Sequence, residues 1–383
     1  MGAAAPDPGS TALVLGVIVP CRDEAAVIAR RLRNLAATRW PTAPRPHHLV
    51  VVDDGSVDGT AALADGLCAE LFPASAGAVQ ARVTRNRDGP GKSGAIRTAL
   101  GEVGRAVDLI VLTDADVVMR PDSLVALQIA FTRRPDLGLA CGRQEFVRDL
   151  LDDGSCRGAD AREPAPAAEP YDRWTARVRA WESRRGRVFS VHGQLLAWRA
   201  SLSLSPTAGV AADDLDLMFQ VRDLGLRREL VPGAAFLEVK PAAGAAREAW
   251  QRRRARAWFQ VMQGRRLPPG ARAFDRWQLR FYQAVHRLAS PATHAAVGVA
   301  LLTVGAGAGW LLGGDAAGAL VGLLSGALLL AVLIVSPIGR GTRALVSQWP
   351  AVRAARAAGA ASGDRWETRR GGGRPRASQG AAD

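Results

Sequence analysis

Cysteine is scarce in this sequence, with four residues among 383. None forms a Cys-x-x-Cys pair, and they stand far apart along the chain, at Cys21, Cys68, Cys141 and Cys156. The spacing predicts neither a zinc site nor a disulfide framework, so a reducing compartment fits best. We also expect no signal peptide, because residues 1–10 carry no basic region and the apolar run at 13–19 stops at Pro20.

Negative charge is the minority charge. Lysine and arginine total 50 residues against 36 of aspartate and glutamate, which gives a net charge of +14, and arginine supplies nearly all of the excess. A basic chain favours an anionic partner such as nucleic acid, nucleotide phosphates or an acidic membrane surface. The arginines gather at 252–256, beside the apolar runs near the C-terminus and in the tail, so we expect no nucleic-acid binding.

A complete P-loop is absent as well. The Gly91-Lys92-Ser93 sequence resembles its end, but the motif needs a glycine where Asn86 stands. What remains is a Gly-rich turn before a predicted helix. Its free amides, together with Lys92, make a good contact for a diphosphate. A solvated lysine in a flexible turn is the alternative.

Buried strands and helices alternate along the first part of the chain. Apolar runs at 13–19, 49–52 and 109–112 predict strands, and helical spacing lies between them. This order predicts a parallel α/β layer, in which ligands bind at the carboxyl ends of the strands. Asp53 and Asp54 close the second strand, where an acidic surface turn is the alternative interpretation.

Asp114 and Asp116 directly follow the strand at 109–112. Side chains two residues apart on an extended segment point the same way, so both carboxylates can face one cation. Hard cations such as Mg²⁺ take oxygen ligands and often keep substrate phosphates in their shell. The pair therefore predicts a divalent metal site, with a solvated acidic turn as the alternative.

Two helices further along carry candidate site residues. Asp213 and Asp214 open a predicted helix at 213–224, although the helix dipole alone also favours acids there. The helix at 250–262 is rich in arginine, and its three- and four-residue spacing puts three residues on one face: Gln251, Arg254 and Trp258. We interpret this face as a phosphate clamp, against the alternative of a solvated basic face.

The rest of the predicted domain contains shorter elements. Strands are expected at 82–84, 137–142, 227–231 and 235–239, a strand-turn-strand at 188–199, and helices at 119–131 and 171–187. The polar segment 148–172 is predicted to be a mobile insertion, either disordered or a lid. His192 is expected to be a loop or sugar contact rather than a metal ligand.

The C-terminal part has the pattern of a membrane segment. An aromatic stripe at 274–288 predicts a helix in a membrane interface, with a core-facing helix as the alternative. Two almost uncharged runs, 295–312 and 316–335, are each about long enough to cross the roughly 30 Å hydrocarbon core. Glycines would let the two helices pack closely, and arginines at their outer ends place both ends in the cytoplasm. The tail from 351 is expected to be disordered.

With these motifs in order, the chain resembles the family 2 inverting glycosyltransferases, especially their membrane-bound, synthase-like members. The resemblance runs from Val17-Ile18-Val19-Pro20 to about Trp258. It implies a nucleotide-sugar-binding domain of the GT-A type, and a sugar nucleotide as donor.

The resemblance also implies roles for individual residues. The first acidic pair, Asp53 and Asp54, would contact the nucleotide, and the Asp-x-Asp element would hold Mg²⁺ or Mn²⁺ on the diphosphate through Asp114 and Asp116. The later pair would supply the general base, with Asp214 preferred over Asp213. The donor would also meet Pro20, Glu24, Lys92, Gln251, Arg254 and Trp258. Ala255 stands at the family's tryptophan position, and Trp258, one turn on, would take that role.

The residues predict an α/β chain that ends in an interfacial helix and a transmembrane hairpin, and the resemblance implies that its sheet is mixed and flanked by helices, as in the family's fold. The predicted bounds are 11–270 for the catalytic domain, 271–290 for the interfacial helix, 291–338 for the hairpin and 339–383 for a basic tail. The expected enzyme transfers a hexosyl or N-acetylhexosaminyl group to a lipid or polysaccharide acceptor at the cytoplasmic face of the cell membrane. It is multi-pass, and its hairpin could self-associate or bind a partner subunit.

Two other functions are compatible with the same residues. A polyprenyl-phosphate sugar transferase would use an acceptor that is already ionised, and so would need no general base. A non-catalytic, membrane-anchored nucleotide-binding protein would need none of the acids. The intact acidic motifs favour the transferase with a base.

Overall fold

The computed structural model describes residues 12–335 except 105, 159–161, 243, 263–264 and 289–290. Eight strands form one sheet: β1 (Leu15–Cys21), β2 (His47–Asp53), β3 (Val79–Arg85), β4 (Leu109–Thr113), β5 (Val118–Met119), β6 (Leu137–Val147), β7 (Leu195–Arg199) and β8 (Arg227–Val239). The helices are α1 (Ile28–Ala37), α2 (Thr60–Leu71), α3 (Lys92–Val103), α4 (Ser123–Arg133), α5 (Pro170–Ser183), α6 (Asp213–Asp223), α7 (Ala245–Met262), α8 (Ala273–Leu288), α9 (Pro291–Gly313) and α10 (Ala316–Val335).

The sheet is mixed, with the order β3-β2-β1-β4-β7-β6-β8-β5. Strands β3, β2, β1 and β4 are parallel, and β7 joins them by pairing antiparallel to both β4 and β6. The predicted mixed sheet flanked by helices is therefore confirmed. Because β1, β2 and β4 run in the same direction, the polar residues that follow them meet at one edge of the sheet.

The sheet is buried on both faces. One apolar cluster lies on each face. Val17 and Val19 of β1 and Val111 of β4 belong to the first cluster. Ile18 of β1 and Ile110 of β4 belong to the second. This explains why the strands are continuous apolar runs instead of alternating ones. Each fully buried side chain of this size contributes about 1.5–3 kcal/mol.

All four cysteines are free and buried in this structure. Burial raises the pKa of Cys68 and that of Cys141 to about 11. The Cys21 thiol lies at the end of β1, 3.5 Å from the carbonyl oxygen of Val52. No zinc site or disulfide was expected from their spacing, and the cysteines act as small apolar residues of the core.

Two predicted strand assignments are wrong. Residues 188–194 form a loop, and only Leu195–Arg199 enters the sheet. Conversely, the strands expected at 227–231 and 235–239 are one strand, β8, with a bulge after Val231, where the register along β6 shifts. Pro232 has no N–H to donate, so the chain loops out there and pairing resumes at Ala235.

The segment 148–172, predicted as a mobile insertion or lid, is described at 148–158 and 162–172, and its last three residues begin α5. Its first part packs on the domain. Leu150 and Cys156 are each 8% exposed. The Asn34 side-chain amide donates to the carbonyl oxygen of Gly154 at 2.9 Å, which fastens the segment to α1. These apolar and polar contacts hold residues that looked too polar to pack.

Helix α8 meets the domain through its polar face. Asp275 is 5% exposed and lies among three guanidinium groups, with N–O distances of 3.6 Å to Arg187, 3.8 Å to Arg222 and 3.2 Å to Arg228. On another face the Trp277 ring is 53% exposed. The helix is therefore docked on one side and presents part of its aromatic stripe on another. The predicted stripe consists of Phe274, Trp277, Phe281, Val285 and Leu288, and the side chains of its last two members lie outside the described residues.

Helices α9 and α10 form an antiparallel pair in very close contact. A Cβ at Gly305 would lie 2.6 Å from the Gly322 carbonyl oxygen, so only glycine allows this approach. An apolar groove of about 580 Å³ runs between the two helices. Leu311 is 78% exposed and Leu312 is 91% exposed.

Within the described ranges, none of the helices reaches the length and apolar character that a membrane crossing requires. The predicted transmembrane hairpin is therefore unsupported. The predicted tail, from 339 on, lies outside the described residues.

Candidate active site

A cleft of about 330 Å³ opens at the carboxyl edge of β1 and β4. The loop 188–194 and the start of α6 form one wall, and α7 forms another. Nine of the predicted site residues line it: Pro20, Glu24, Lys92, Asp114, Asp116, Asp213, Asp214, Arg254 and Trp258. Three others do not line it: Asp53, Asp54 and Gln251. Residues from distant parts of the chain thus converge as the α/β order predicts.

Asp53 and Asp54 organise the loops beside the cleft. Asp53 accepts from the backbone N–H groups of Gly55 and Ser56, both at 3.2 Å. Asp54 accepts from the backbone N–H of Gly91 at 2.9 Å, directly before Lys92. In this structure Asp54 therefore anchors the turn that presents Lys92. A direct contact of either acid with a nucleotide stays a prediction.

Lys92 links two of the acidic motifs. Its Nζ lies 2.7 Å from Asp114 Oδ1 and 3.6 Å from Asp213 Oδ2. Burial by itself would lower the pKa of Lys92, but Asp114 and Asp213 outweigh that effect and the pKa is raised. The ammonium is consequently charged at neutral pH. It gives the cleft a fixed positive charge between the acids after β4 and those at the start of α6.

Asp214 is held by backbone amides. Its Oδ2 accepts from the N–H of Gly193 at 3.2 Å, and its Oδ1 accepts from the N–H of Leu215 at 2.8 Å. Asp213, by contrast, faces Lys92. A carboxylate oriented by N–H donors at a cleft wall suits a general base, because its position is fixed while its charge stays available.

Gly193 is a site residue that sequence reasoning did not single out. A Cβ added there would lie 3.2 Å from Asp214 Cβ, closer than side chains normally approach. The absence of a side chain thus permits the amide to reach the carboxylate. The available signal was a glycine at the turn of the predicted strand-turn-strand at 188–199, but a glycine in a turn does not identify Asp214 as its partner.

Helix α7 supplies aromatic and basic groups. The Arg254 guanidinium lies over the ring of Trp250, 4.7 Å from its centroid, and Trp258 contacts Phe259 edge-on at 5.1 Å. Trp250 lines the cleft, whereas Gln251 does not. Stacking on Trp250 orients the guanidinium without using its N–H donors, so these remain suited to phosphate oxygens.

Glu238 on β8 is a second residue that the sequence did not indicate. It is 1% exposed, lines the cleft, and accepts from the Gln144 side-chain amide at 2.5 Å. Buried carboxylates are costly unless they are bonded, and the Gln144 amide meets part of that requirement. Its place in a strand made it look like an ordinary alternating residue.

His192 lies in the loop 188–194, as expected, and it does not line the cleft, so a contact with a sugar stays a prediction. It is 1% exposed, and within the described chain neither ring nitrogen has a hydrogen-bond partner. Burial, Arg179 and Arg254 hold its pKa well below the usual range, so the ring is neutral. The Phe236 ring packs against it edge-on at 5.6 Å.

Among the described residues, no group of three or more His, Cys, Asp or Glu side chains is arranged to hold a metal ion. Asp114 and Asp116 nevertheless both face the cleft. One or two carboxylates completed by substrate phosphates is the usual arrangement for Mg²⁺. These two side chains therefore fit a metal that arrives with a diphosphate.

Comparison with known proteins adds to this geometry. The family model described as "Glycosyltransferase like family 2" matches residues 12–260. No curated protein sequence matches the chain significantly.

Among solved structures, a mannosyltransferase from Pyrobaculum calidifontis in complex with GDP-Man and Mn²⁺ aligns with a TM-score of 0.59 and 23% identity, over 92% of this chain and 88% of that one. A glucosyl-3-phosphoglycerate synthase from Mycobacterium tuberculosis, with Mn²⁺ and UDP, aligns with a TM-score of 0.41 and 15% identity, over 70% of this chain and 88% of that one. The first of these similarities supports the fold.

Proposed function

Because this chain belongs to the family 2 glycosyltransferases, which use nucleotide-sugar donors, we propose that it is a metal-dependent, inverting enzyme that glycosylates a membrane-borne lipid or glycan. The observation that carries the proposal is the cleft itself. It joins Asp114, Asp116, Lys92 and Asp214 around one space large enough for a diphosphate and a sugar ring.

Each group of cleft residues has its own role in the proposed transfer reaction. Asp114 and Asp116 would hold Mg²⁺ or Mn²⁺, which when bound neutralises charge on the donor diphosphate. Lys92 and Arg254 supply further positive charge to that diphosphate, which leaves with the electron pair of the bond to the anomeric carbon. Asp214 takes the proton from the acceptor hydroxyl as its oxygen attacks from the opposite face. A single attack of this kind inverts the anomeric centre.

The amide-held Asp214 favours an acceptor hydroxyl over an acceptor that is already ionised. A phosphate acceptor, as in the polyprenyl-phosphate transferase alternative, has no proton to give up. It would also bring negative charge next to Asp213 and Asp214. A hydroxyl acceptor makes use of both the position and the charge of Asp214.

A panel of labelled sugar nucleotides tests the function. The full-length protein in membranes is incubated with UDP-, GDP- and dTDP-sugars and Mn²⁺, and label is followed into the lipid and polymer fractions. We expect one sugar to be transferred, and EDTA to stop the transfer. If no donor is either transferred or hydrolysed, the proposed activity is wrong, and the non-catalytic alternative gains support.

We further propose that the α9–α10 pair places its exposed apolar surface in the cytoplasmic leaflet of a bilayer. Leu311, Leu312 and Val304 are 78%, 91% and 70% exposed, which is a costly surface to leave in water. The half-exposed Trp277 on α8 fits the same interface, since tryptophan favours the headgroup region. This location would bring a lipid-linked acceptor to the cleft.

Vesicle flotation tests the membrane proposal on the full-length chain. The double substitution Leu311→Glu and Leu312→Glu should weaken binding to vesicles of phosphatidylglycerol and phosphatidylcholine by about tenfold or more, because about 2.5–3.5 kcal/mol opposes each charge placed deep in a membrane. The matched control is Val57→Glu, a valine 88% exposed on the catalytic part, which should bind as the wild type does. Equal binding by all three proteins would contradict the proposal.

A further inference from the structure

Helix α1 buries two polar side chains beneath the cleft. Arg31 is fully buried and Asn34 is 4% exposed, although the other buried residues of this helix are apolar. Burying a guanidinium group is costly unless it is paired and hydrogen-bonded. A leucine would avoid this cost, but it could not donate the hydrogen bonds that the Arg31 guanidinium makes.

Arg31 and Asn34 hold the loop that carries the metal-binding acids. Arg31 Nη2 donates to Thr113 Oγ1 at 2.6 Å, before the loop, and Nη1 donates to the Val117 carbonyl oxygen at 3.3 Å, after it. The Asn34 side chain accepts from the Met119 N–H at 2.8 Å and donates to the Met119 carbonyl oxygen at 3.0 Å. Both ends of the segment with Asp114 and Asp116 are therefore fixed from below.

Thr113 extends this contact toward the second wall of the cleft. A guanidinium group can only donate, so the Thr113 hydroxyl accepts from Arg31 and its own proton is left for another acceptor. That acceptor is the Gln194 carbonyl oxygen, at 2.8 Å. The preceding residue, Gly193, donates its N–H to Asp214 Oδ2. A continuous path thus joins the metal-binding loop to the general base.

We propose that Thr113, oriented by Arg31, is a positioning residue that sets the place of Asp214 relative to Asp114 and Asp116. The proposal rests on the proposed function. Without the hydroxyl, the 188–194 loop loses the side-chain bond from Thr113 to the Gln194 carbonyl oxygen, although β4 and β7 remain paired. The Gly193 amide, one residue away, then holds Asp214 less firmly. A displacement of about 1 Å can cost about a hundredfold in rate.

The charge of Arg31 is consistent with this role. Burial lowers its pKa to about 9, and the negative charges of Asp114 and Asp116 oppose that effect. Arg31 therefore stays cationic at neutral pH and places a positive charge beneath two carboxylates.

Three substitutions in the full-length protein separate positioning from folding. Thr113→Val removes the hydroxyl and keeps the shape, Thr113→Ser keeps the hydroxyl, and Thr38→Val is the matched control. Thr38 is 4% exposed, and its hydroxyl donates to the Asn34 carbonyl oxygen at 2.8 Å, away from the cleft wall. The probe is whichever sugar nucleotide the wild type uses, followed as transfer or as hydrolysis.

We expect Thr113→Val to lower kcat by about ten- to a hundredfold, with KM for the donor and the Kd for its nucleoside diphosphate and Mn²⁺ within about threefold of wild type. The Kd is measured from the fluorescence of Trp250 and Trp258, which line the cleft. Thr113→Ser should recover kcat to within about threefold. Thr38→Val should keep the wild-type kcat, and it should lower Tm less than Thr113→Val does, because Thr113→Val also leaves Arg31 Nη2 without an acceptor.

A wild-type kcat in Thr113→Val would overturn the proposal. Equal losses of kcat and Tm in Thr113→Val and Thr38→Val would overturn it as well, since the hydroxyl would then be only structural. If the wild type turns over no donor, the proposed function fails and this inference falls with it. The two failures are distinguishable, because the first requires an active wild type.

Discussion

Replacing Asp214 by asparagine should abolish sugar transfer and leave donor binding near the wild-type value. The substitution keeps the shape of the side chain and one oxygen, which can accept from either the Gly193 or the Leu215 N–H but not from both, and it removes the ability to take a proton. A positioned general base contributes about a hundred- to ten-thousandfold to a rate. The transfer rate should therefore fall by that factor, while the donor Kd, measured by tryptophan fluorescence, changes little.

The matched control for this substitution lies on the same helix. Asp223 is the last residue of α6, and its carboxylate pairs with Arg265 at 2.5 Å, away from the cleft. Asp223→Asn should keep the wild-type transfer rate. If Asp214→Asn loses donor affinity in proportion to its rate, Asp214 belongs to the donor or metal site, and the assignment of the base is wrong.

Replacing Asp116 by alanine should remove metal-dependent donor binding. Asp116 is a cleaner choice than Asp114, because Asp114 also pairs with Lys92 at 2.7 Å and its loss would disturb that ammonium too. Changing a residue that merely supports a metal ligand already costs about 10–100-fold in affinity, so losing a direct ligand should cost at least about a hundredfold. Donor binding titrated with and without Mn²⁺ measures the effect.

Two comparisons sharpen this measurement. Asp122→Ala is the matched control, since Asp122 is an exposed acid shortly after the same loop, paired with Arg39 at 3.1 Å. It should retain Mn²⁺-dependent binding. In Asp116→Ala, EDTA should have no further effect. Binding that still increases with Mn²⁺ in Asp116→Ala would show that the metal is held elsewhere.

Much of the fold could be predicted because burial leaves a pattern in the sequence. The runs 15–19, 49–52 and 109–112, which make up most of β1, β2 and β4, are entirely apolar. The residues that follow them lie at one edge of the sheet because the three strands are parallel. The antiparallel entry of β7 between β4 and β6 left no such pattern. Periodicity describes one strand at a time and does not identify its neighbour.

The residues of the candidate site likewise fall into those that the sequence indicated and those that it did not. Acids that close a strand or open a helix were found because their position is local, as with Asp116 and Asp214. Arg31 was not found, because its role depends on Thr113, 82 residues further along, and inside a helix it has the appearance of a solvated charge. Gly193 and Glu238 were missed for the same reason, since each acts through a partner from another part of the chain.

The four buried thiols can be used to measure local opening of the domain. A thiol in the core reacts with an alkylating reagent only while its surroundings are open, so the reaction rate measures how often each region exposes itself. Cys156, bonded to the Met119 carbonyl oxygen at 3.3 Å, would report on the 148–158 segment, and Cys21 on the end of β1 beside Asp53. Mass spectrometry of the labelled peptides would then rank the parts of the domain by their opening free energies, without any engineered label.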